Sequence, residues 1–153
     1  EYRIACDTAL FSLNTNHGIR PQRGEYAYLI RPGISTVSTV AKYAADLPIK
    51  ILANTEKIQA ARHEKLGITE IIFYQPGELR LENGDILATD TPCALLWKEK
   101  EEKIHAANPR CESKNPGKIT ITLTQSGQTK QISFEMPQKE EAGKSCTAPL
   151  YRN

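Results

Sequence analysis

Cysteine and histidine, which often serve as nucleophiles, general bases and metal ligands, are few in this chain and lie far apart. The histidines are His17, His63 and His105, and no two have the close spacing by which one helix or turn presents two metal ligands. The sequence also lacks a GxSxG motif, a phosphate-cradling glycine loop and an HExxH motif. We therefore expect no metal and no cofactor.

The four cysteines, Cys6, Cys93, Cys111 and Cys146, lack the CxxC spacing of zinc and redox sites. They are also too sparse for a disulfide scaffold in a chain of 153 residues. We expect buried free thiols, with one disulfide as the alternative if the protein is exported. A small hydrolase with a Cys–His pair is one functional hypothesis, although no local base or positive charge supports an activated thiol.

Arginines in one polar loop are the strongest candidates for ligand contact. The loop spans residues 14–23 (NTNHGIRPQR) between two predicted strands and contains Arg20 and Arg23. A guanidinium group donates two parallel hydrogen bonds to a carboxylate or sulfate, and loops held between rigid strands often carry binding residues. Arg20 and Arg23 are therefore the predicted carbohydrate-binding residues. An ordinary solvated turn is the alternative, and it is favoured because exposed arginines are common.

Aromatic side chains offer a second route to sugar binding, because a flat ring can stack on a sugar. Tyr26, Tyr28 and Trp97 are of this type, but each lies within an apolar run that has the pattern of a strand. That pattern favours packing in a core over stacking on a ligand for all three.

The composition is that of an ordinary globular protein, with 39% apolar and 25% charged residues. The net charge of +2 comes from intermixed acids and bases, so nothing in the charge pattern indicates a nucleic-acid partner. No stretch approaches the roughly 20 apolar residues of a membrane-spanning helix, and no membrane partner is expected. The chain starts at Glu1 with the pattern of a sheet interior, so we expect it to be part of a longer protein.

Short strands dominate the predicted secondary structure. Residues 8–13 (TALFSL) and 24–31 (GEYAYLIR) are apolar runs bounded by turn formers, and both are predicted to be central strands. A further strand is predicted at 93–98 (CALLWK), before a charged turn at 98–103 (KEKEEK).

One helix is predicted between these groups of strands. Ser35 can cap its first turn, apolar residues recur at helical spacing from Val37 to Ala44, and Pro48 ends it. A domain boundary is predicted near Leu47, where helical periodicity gives way to short strands.

Two hairpins are predicted from their turn residues. A two-residue loop at Ser126-Gly127 pairs apolar residues on one face and polar residues on the other. The apolar pairs are Ile119 with Phe134 and Ile121 with Ile132; the polar pairs are Thr120 with Ser133, Thr122 with Gln131 and Thr124 with Thr129. A type I′ turn at Asn83-Gly84 sets Leu81 opposite Ile86 and Leu79 opposite Ala88.

Residues 55–66 (TEKIQAARHEKL) fit two kinds of structure. Thr55 as an N-cap, an early glutamate and the Gly67 that follows favour a helix, whereas the alternation of Ile58, Ala60 and Arg62 favours a strand. The residues alone leave both structures open.

Three stretches resemble the family-eight polysaccharide lyases, which include the chondroitin, hyaluronan and xanthan lyases. They are His17-Gly18, the run GEYAYLIRPG at 24–33, and IKILANTEKIQAARHEKLGITEIIFY at 49–74. The similarity covers roughly residues 8 to 100, and its most specific part is the order ANT, QAARH and LG before an apolar strand. Within this family, the stretches resemble the C-terminal portion of chondroitin lyases of the Bacteroides type.

The resemblance implies a mainly β fold, an antiparallel β-sandwich with a short connecting helix. Residues 1–33 would be the terminal strands of a central β-sandwich, 34–48 the connecting helix and linker, and 49–153 a small C-terminal β-sandwich. It also implies that Ile58 to Leu66 form a strand, and we follow it there because sheet context often overrides helix propensity.

The chemistry that the resemblance implies is β-elimination, in which a base removes the C5 proton of a uronic acid and the O4 glycosidic bond breaks. The Asn, His, Tyr and Arg that do this in such lyases belong to an N-terminal α/α toroid, so no catalytic residue transfers to this chain. In particular, His17 and Tyr26 do not match the family's base and acid.

The expected function is therefore that of a non-catalytic C-terminal β-sandwich of a glycosaminoglycan lyase, inactive by itself. A freestanding carbohydrate-binding β-sandwich is the alternative. The implied partners are the remainder of the lyase and an acidic polysaccharide, and the implied location is extracellular or periplasmic. The choice of polysaccharide and the mode of cleavage stay open.

Overall fold

The computed structural model describes residue 12 and residues 14–22, 24–34, 36–109 and 117–150. The chain divides into two compact units, Glu1–Ser35 and Thr36–Asn153. Every helix and strand of the described residues belongs to the second unit. No helix in these residues has the length and apolar character that crossing a membrane requires.

The described residues of the first unit contain no strand. Residues 24–30 lie outside any β-ladder, so the strand predicted at 24–31 is wrong for this part of the chain. A strand is held by hydrogen bonds to a neighbouring strand, and an alternating sequence does not by itself supply that neighbour. The strand predicted at 8–13 lies outside the described residues apart from Ser12, and the assignment of residues 1–33 to a central sandwich stays a prediction.

An α-helix, α1 (Val37–Ala45), begins the second unit. The Thr39 amide donates to Oγ1 of Thr36 at 3.3 Å, so Thr36 is the N-cap, and Asp46 is the C-cap. The predicted helix is therefore confirmed, but its cap is one residue later than Ser35. Either hydroxyl could satisfy a free amide of the first turn, which explains the error.

Ten strands follow in the described residues. In chain order they are β1 (Ile49–Asn54), β2 (Ile58–His63), β3 (Ile68–Phe73), β4 (Gly77–Arg80), β5 (Ile86–Thr89), β6 (Cys93–Lys98), β7 (Lys103–Ala107), β8 (Lys118–Gln125), β9 (Gln128–Glu135) and β10 (Cys146–Pro149). They form a six-stranded sheet in the order β1-β2-β3-β6-β7-β10 and a four-stranded sheet in the order β4-β5-β8-β9. Every pairing is antiparallel. The predicted fold class, an antiparallel β-sandwich with one short helix, is confirmed.

One apolar core unites the two sheets. Burial alternates along β3, β6 and β8, so each of these strands directs every second side chain inward. The largest fully buried side chains are Phe73, Ile71, Leu87, Ile104, Ile119, Ile121, Thr69 and Cys93. Trp97 is 2% exposed, which confirms its predicted place in the core.

The hairpin at Ser126-Gly127 has the predicted register. All of the predicted cross-strand pairs occur between β8 and β9. Ser126 has φ +48° and Gly127 has φ +78°, the two positive values that a type I′ turn requires. The apolar face of β8 is buried and its polar face is half-buried.

The hairpin at Asn83-Gly84 differs from its prediction by one residue. Leu79 lies opposite Leu87 rather than Ala88. The Leu81 amide donates to the Asp85 carbonyl at 2.8 Å, which makes a three-residue loop in which Gly84 has φ +89°. Such a loop, a turn followed by a left-handed glycine, competes with the two-residue loop for the same sequence.

Within the segment at 55–66, Ile58–His63 form a strand, β2. The strand that the family resemblance implied for Ile58 to Leu66 is therefore confirmed, but it ends three residues earlier. The Ile58 amide donates to the Thr55 hydroxyl at 3.0 Å, and that hydroxyl donates to the Ile58 carbonyl at 3.1 Å. Thr55 therefore closes the turn between β1 and β2. The Thr55 hydroxyl, which the sequence suggested as a helix N-cap, instead makes the hydrogen bonds of this turn.

Candidate functional site

The loop predicted to contact carbohydrate is partly described, and its Arg20 is exposed. The Gly18 amide donates to Oδ1 of Asn16 at 2.8 Å, which shapes the loop before Arg20. Arg20 has φ +53°, a left-handed conformation that costs a non-glycine residue about 1–2 kcal/mol. Arg23 lies outside the described residues. The geometry of an arginine pair therefore stays a prediction.

Three aromatic rings of the same unit, His17, Tyr26 and Tyr28, form what we term the aromatic ladder. The His17 and Tyr26 ring centroids are 5.8 Å apart, and those of Tyr26 and Tyr28 are 6.2 Å apart at an interplanar angle of 8°. Tyr26 is 60% exposed and Tyr28 is 68% exposed, so the predicted core role of these two tyrosines is wrong in this structure. Exposed ring faces of this kind can stack on sugars.

Gly24 packs closely against the His17 ring of the aromatic ladder. A Cβ placed on Gly24 would lie 3.0 Å from Nδ1 of His17, which is tighter than most contacts of this kind. A larger residue would therefore require the His17 ring to shift slightly from its position beside Tyr26. No spacing in the sequence predicts this contact, which depends on the path of the loop.

The described thiols are poor nucleophiles or are engaged in local hydrogen bonds. Cys93 and Cys146 are both free. Burial raises the pKa of the Cys93 thiol to about 11, and its Sγ donates to Oγ1 of Thr89 at 3.5 Å. Cys146 donates to the Glu135 carbonyl at 3.4 Å. A thiol that stays protonated near neutral pH cannot attack a substrate, so Cys93 does not support a Cys–His hydrolase. Cys6 and Cys111 lie outside the described residues.

Two histidines of the sandwich serve local structure. The Leu66 amide donates to Nδ1 of His63 at 3.3 Å, and Nδ1 of His105 lies 2.7 Å from Oγ1 of Thr147. Among the described residues, no group of three or more His, Cys, Asp and Glu side chains could hold a metal ion.

A half-buried ion pair lies at the end of β2. Arg62 Nη1 is 2.6 Å from Oε1 of Glu99, and Nη2 donates to Oε2 at 2.8 Å. The ion pair, with its one hydrogen bond from Nη2 to Oε2, joins β2 to the turn that follows β6. This pair acts as a structural tie.

Two exposed carboxylates have altered acidity. Partial burial raises the pKa of the Asp90 carboxyl, but hydrogen bonds from the Thr120 amide and the Thr91 hydroxyl outweigh it, so the pKa lies below its ordinary value. A hydrogen bond from Lys98 lowers the pKa of Glu101. Both carboxylates are therefore ionised near neutral pH and are unsuited to act as general acids.

An exposed aromatic that the sequence analysis did not single out lies on the six-stranded sheet. Tyr74 is 49% exposed, and its hydroxyl donates to Oε1 of Gln59 at 2.9 Å. The sequence could have indicated this position, because side chains alternate between the two faces along a strand. Ile71 and Phe73 are buried, so Ile72 and Tyr74 project to the outer face. A shallow depression beside the ring is lined by Ile72, Phe73, Tyr74, Pro92 and Pro109.

Comparisons with known proteins agree on one family. The model of the C-terminal β-sandwich domain of polysaccharide lyase family 8 matches residues 50–116. Chondroitinase-AC of Pedobacter heparinus is 38% identical over 136 residues, which are 88% of this chain and 19% of that protein. Hyaluronate lyase of Thermasporomyces composti is 27% identical over 125 residues, which are 80% of this chain and 14% of that protein.

A solved structure gives the same result. The structure of chondroitinase AC lyase in complex with oligosaccharides matches with a TM-score of 0.67 and 31% identity, over 76% of this chain and 17% of that one. The chain thus spans about a fifth of the length of the chondroitinases it matches.

Proposed function

The chain belongs to polysaccharide lyase family 8 as a C-terminal β-sandwich domain, and from this premise we propose that it is a non-catalytic part of an enzyme that cleaves uronic-acid glycosaminoglycans by β-elimination. The observation that carries the proposal is the 38% identity to chondroitinase-AC over 88% of the chain. Chondroitin and hyaluronan are the substrates that the names of the relatives suggest.

The chemistry of the described residues supports a non-catalytic role. The Cys93 thiol is protonated near neutral pH, and His63 and His105 each have a local hydrogen-bond partner. The Arg62 guanidinium is paired with Glu99. These groups therefore stabilise the sandwich, and none of them supports removal of a C5 proton.

The proposal is tested by adding the purified chain to chondroitin sulfate or hyaluronan and following the ultraviolet absorbance of the unsaturated product. We expect no increase above a protein-free control. Appreciable turnover would reject the non-catalytic role.

A second candidate function is that of a carbohydrate-binding module, and the aromatic ladder favours it. Its tyrosines are exposed in the same unit as Arg20, so stacking and charge could act together on a sulfated or carboxylated sugar. Calorimetric titration with sulfated oligosaccharides would compare the parent with Arg20→Ala and Arg23→Ala. Equal heats for the three proteins would exclude the loop as the site.

The partners and location of the chain follow from the same proposal. The remainder of a lyase is the proposed protein partner, because the matched segment covers only 19% of chondroitinase-AC and 14% of the hyaluronate lyase. An extracellular or periplasmic location is proposed from the similarity to bacterial polysaccharide lyases. Fractionation of producing cells, with the chain followed by antibody, tests the location.

A further inference from the structure

A tyrosine and a lysine lie next to each other at one end of the six-stranded sheet. The Tyr74 amide donates to the Lys57 carbonyl at 2.9 Å, directly beyond the last pair of β2 and β3, Ile58 with Phe73. Tyr74 projects from the outer face, because its hydroxyl donates to Gln59, which lies on that face. Lys57 is exposed and lies in the turn before β2, next to Tyr74 along this backbone hydrogen bond.

The Tyr74 ring is held in one orientation. Its hydroxyl donates to Oε1 of Gln59, which lies on the same face of the sheet, at 2.9 Å. The ring is nevertheless half exposed, and it adjoins the shallow depression formed with Ile72, Pro92 and Pro109. A fixed ring loses little conformational entropy when a ligand stacks on it, which favours binding.

A cation and an amide stand beside this ring. Lys57 is exposed, and within the described residues its ammonium group has no hydrogen bond or ion pair. Because Gln59 uses Oε1 to accept from Tyr74, its Nε2 remains available to donate. The acidic residue Glu70 on this face of β3 lies four residues from Tyr74, about 13 Å along the strand.

We propose that this tyrosine patch (Lys57, Gln59, Ile72, Tyr74, Pro92 and Pro109) binds one segment of an anionic, uronic-acid-containing glycan. The apolar face of a sugar ring stacks on Tyr74, the Lys57 ammonium pairs with a uronate carboxylate, and Gln59 Nε2 donates to a hydroxyl group. This assignment rests on the proposed function for the class of glycan. It adds a glycan contact on the C-terminal sandwich itself, separate from the aromatic ladder.

The charge of the patch decides between ligands. An apolar protein partner would leave the Lys57 ammonium unpaired at the rim, whereas a uronate supplies both a ring for Tyr74 and a carboxylate for Lys57. A neutral glycan would use only the stacking part of the site. Binding that prefers a charged over a neutral oligosaccharide of equal length is therefore the expected signature.

The test uses the 153-residue chain, labelled with ¹⁵N, and a hyaluronan hexasaccharide, which carries carboxylates and no sulfate. We expect saturable amide shifts at Lys57, Gln59, Ile72 and Tyr74. Tyr74→Ala should weaken binding about tenfold through loss of the stacked ring. Lys57→Gln should weaken it about threefold at low salt, with the difference disappearing at high salt.

Three controls sharpen this experiment. Lys103→Gln removes one positive charge from the other end of the same sheet face and should leave the affinity unchanged. Tyr74→Phe keeps the ring and loses the hydrogen bond to Gln59, so it should bind more weakly than the parent and more tightly than Tyr74→Ala. Cellohexaose, which is neutral, should bind more weakly than hyaluronan.

The assignment is overturned if the hexasaccharide causes no saturable shifts at the patch, or if Tyr74→Ala binds with the affinity of the parent while retaining the parent's amide spectrum elsewhere. Shifts confined to His17, Tyr26 and Tyr28 would likewise reject the patch in favour of the aromatic ladder. None of these outcomes depends on turnover. The absorbance assay therefore tests the non-catalytic role separately from this binding site.

Discussion

Thr69 of β3 lies directly opposite Trp97 of β6 in the buried core, and neither the Thr69 hydroxyl nor the Trp97 indole nitrogen has a hydrogen-bond partner among the described residues. Buried polar groups in folded proteins are nearly always paired, because burying an unpaired group costs free energy. Two such atoms on neighbouring strands therefore mark a locally unfavourable part of an otherwise apolar core.

Replacing Thr69 with Val should stabilise the protein. The substitution keeps the branched shape and removes the unpaired hydroxyl, so the free energy of unfolding should rise by about 1 kcal/mol. Urea titration measures this change. Thr122→Val, on the half-buried face of β8, is the matched control and should stay within about 0.5 kcal/mol. A loss above about 1 kcal/mol for Thr69→Val would show that the hydroxyl is satisfied in solution.

The turn between β8 and β9 should be sensitive to a side chain at Gly127. Its φ of +78° is costly for alanine, so Gly127→Ala should lower the free energy of unfolding by about 1–2 kcal/mol. Gly117→Ala is the control, because Gly117 has no positive φ and open space around it. Ser126→Asn should instead stabilise by about 0.5 kcal/mol, since asparagine suits the first position of this turn. Equal unfolding midpoints for the two alanine variants would contradict the turn geometry.

Asp90 should make stability depend on pH in the acidic range. Its pKa in the folded state lies below the ordinary 3.8, so its contribution is complete above about pH 4 and is lost as the pH falls through the lower, folded value. Asp90→Asn should cost about 1 kcal/mol at pH 7, because the hydrogen bonds from Thr120 and Thr91 lose their charge. Denaturation at pH 7 and at pH 3 measures both effects, and the difference in stability between the parent and the variant should be smaller at the lower pH. An undiminished gap at pH 3 would contradict the ionic origin.

Cys93 should resist alkylation in the folded protein. Its pKa of about 11 leaves little thiolate at pH 8, and its side chain is buried. Cys146, which is partly exposed, should react with iodoacetamide faster. Peptide mass spectrometry after timed labelling distinguishes the two sites, with urea-unfolded protein as the control. Rapid labelling of Cys93 in the native protein would contradict this prediction and would support a nucleophilic role for its thiol.

The predictable part of the fold is the part in which local and cross-strand signals agree. At Ser126-Gly127 the turn residues and the two alternating strands specify a single register, and β8 and β9 adopt it. At Asn83-Gly84 the same kind of turn signal allows loops of two or three residues. The structure has the longer loop, in which the Asp85 amide donates to Oδ1 of Asn83 at 3.1 Å.

In two segments, the presence or absence of a neighbouring strand determined a secondary structure that sequence periodicity alone did not specify. The segment at 55–66 has helix signals, yet β2 has β1 and β3 on either side and pairs with both. Residues 24–30 have strand signals and no ladder partner among the described residues. In both cases the presence of a neighbouring strand, which composition does not reveal, determines the outcome.

The candidate sites were harder to predict than the fold. Arg20 could be named from its residue type, but the meeting of His17 with Tyr26 depends on the path of the loop. The alternation of side chains places Tyr74 on an outer face, but its hydrogen bond to Gln59 and its backbone hydrogen bond to Lys57 depend on how β2 and β3 pair. Spatial neighbours on different segments are what a single sequence does not display.

Exchange of the C5 proton tests the non-catalytic role most directly, because β-elimination begins with its removal. The chain would be incubated with a uronic-acid oligosaccharide in D₂O, and deuterium at C5 and unsaturated ends would be followed by proton NMR, with an active chondroitin lyase as the positive control. We predict neither signal above the protein-free rate. Deuterium at C5, or unsaturated ends, produced by the purified chain alone would contradict the account.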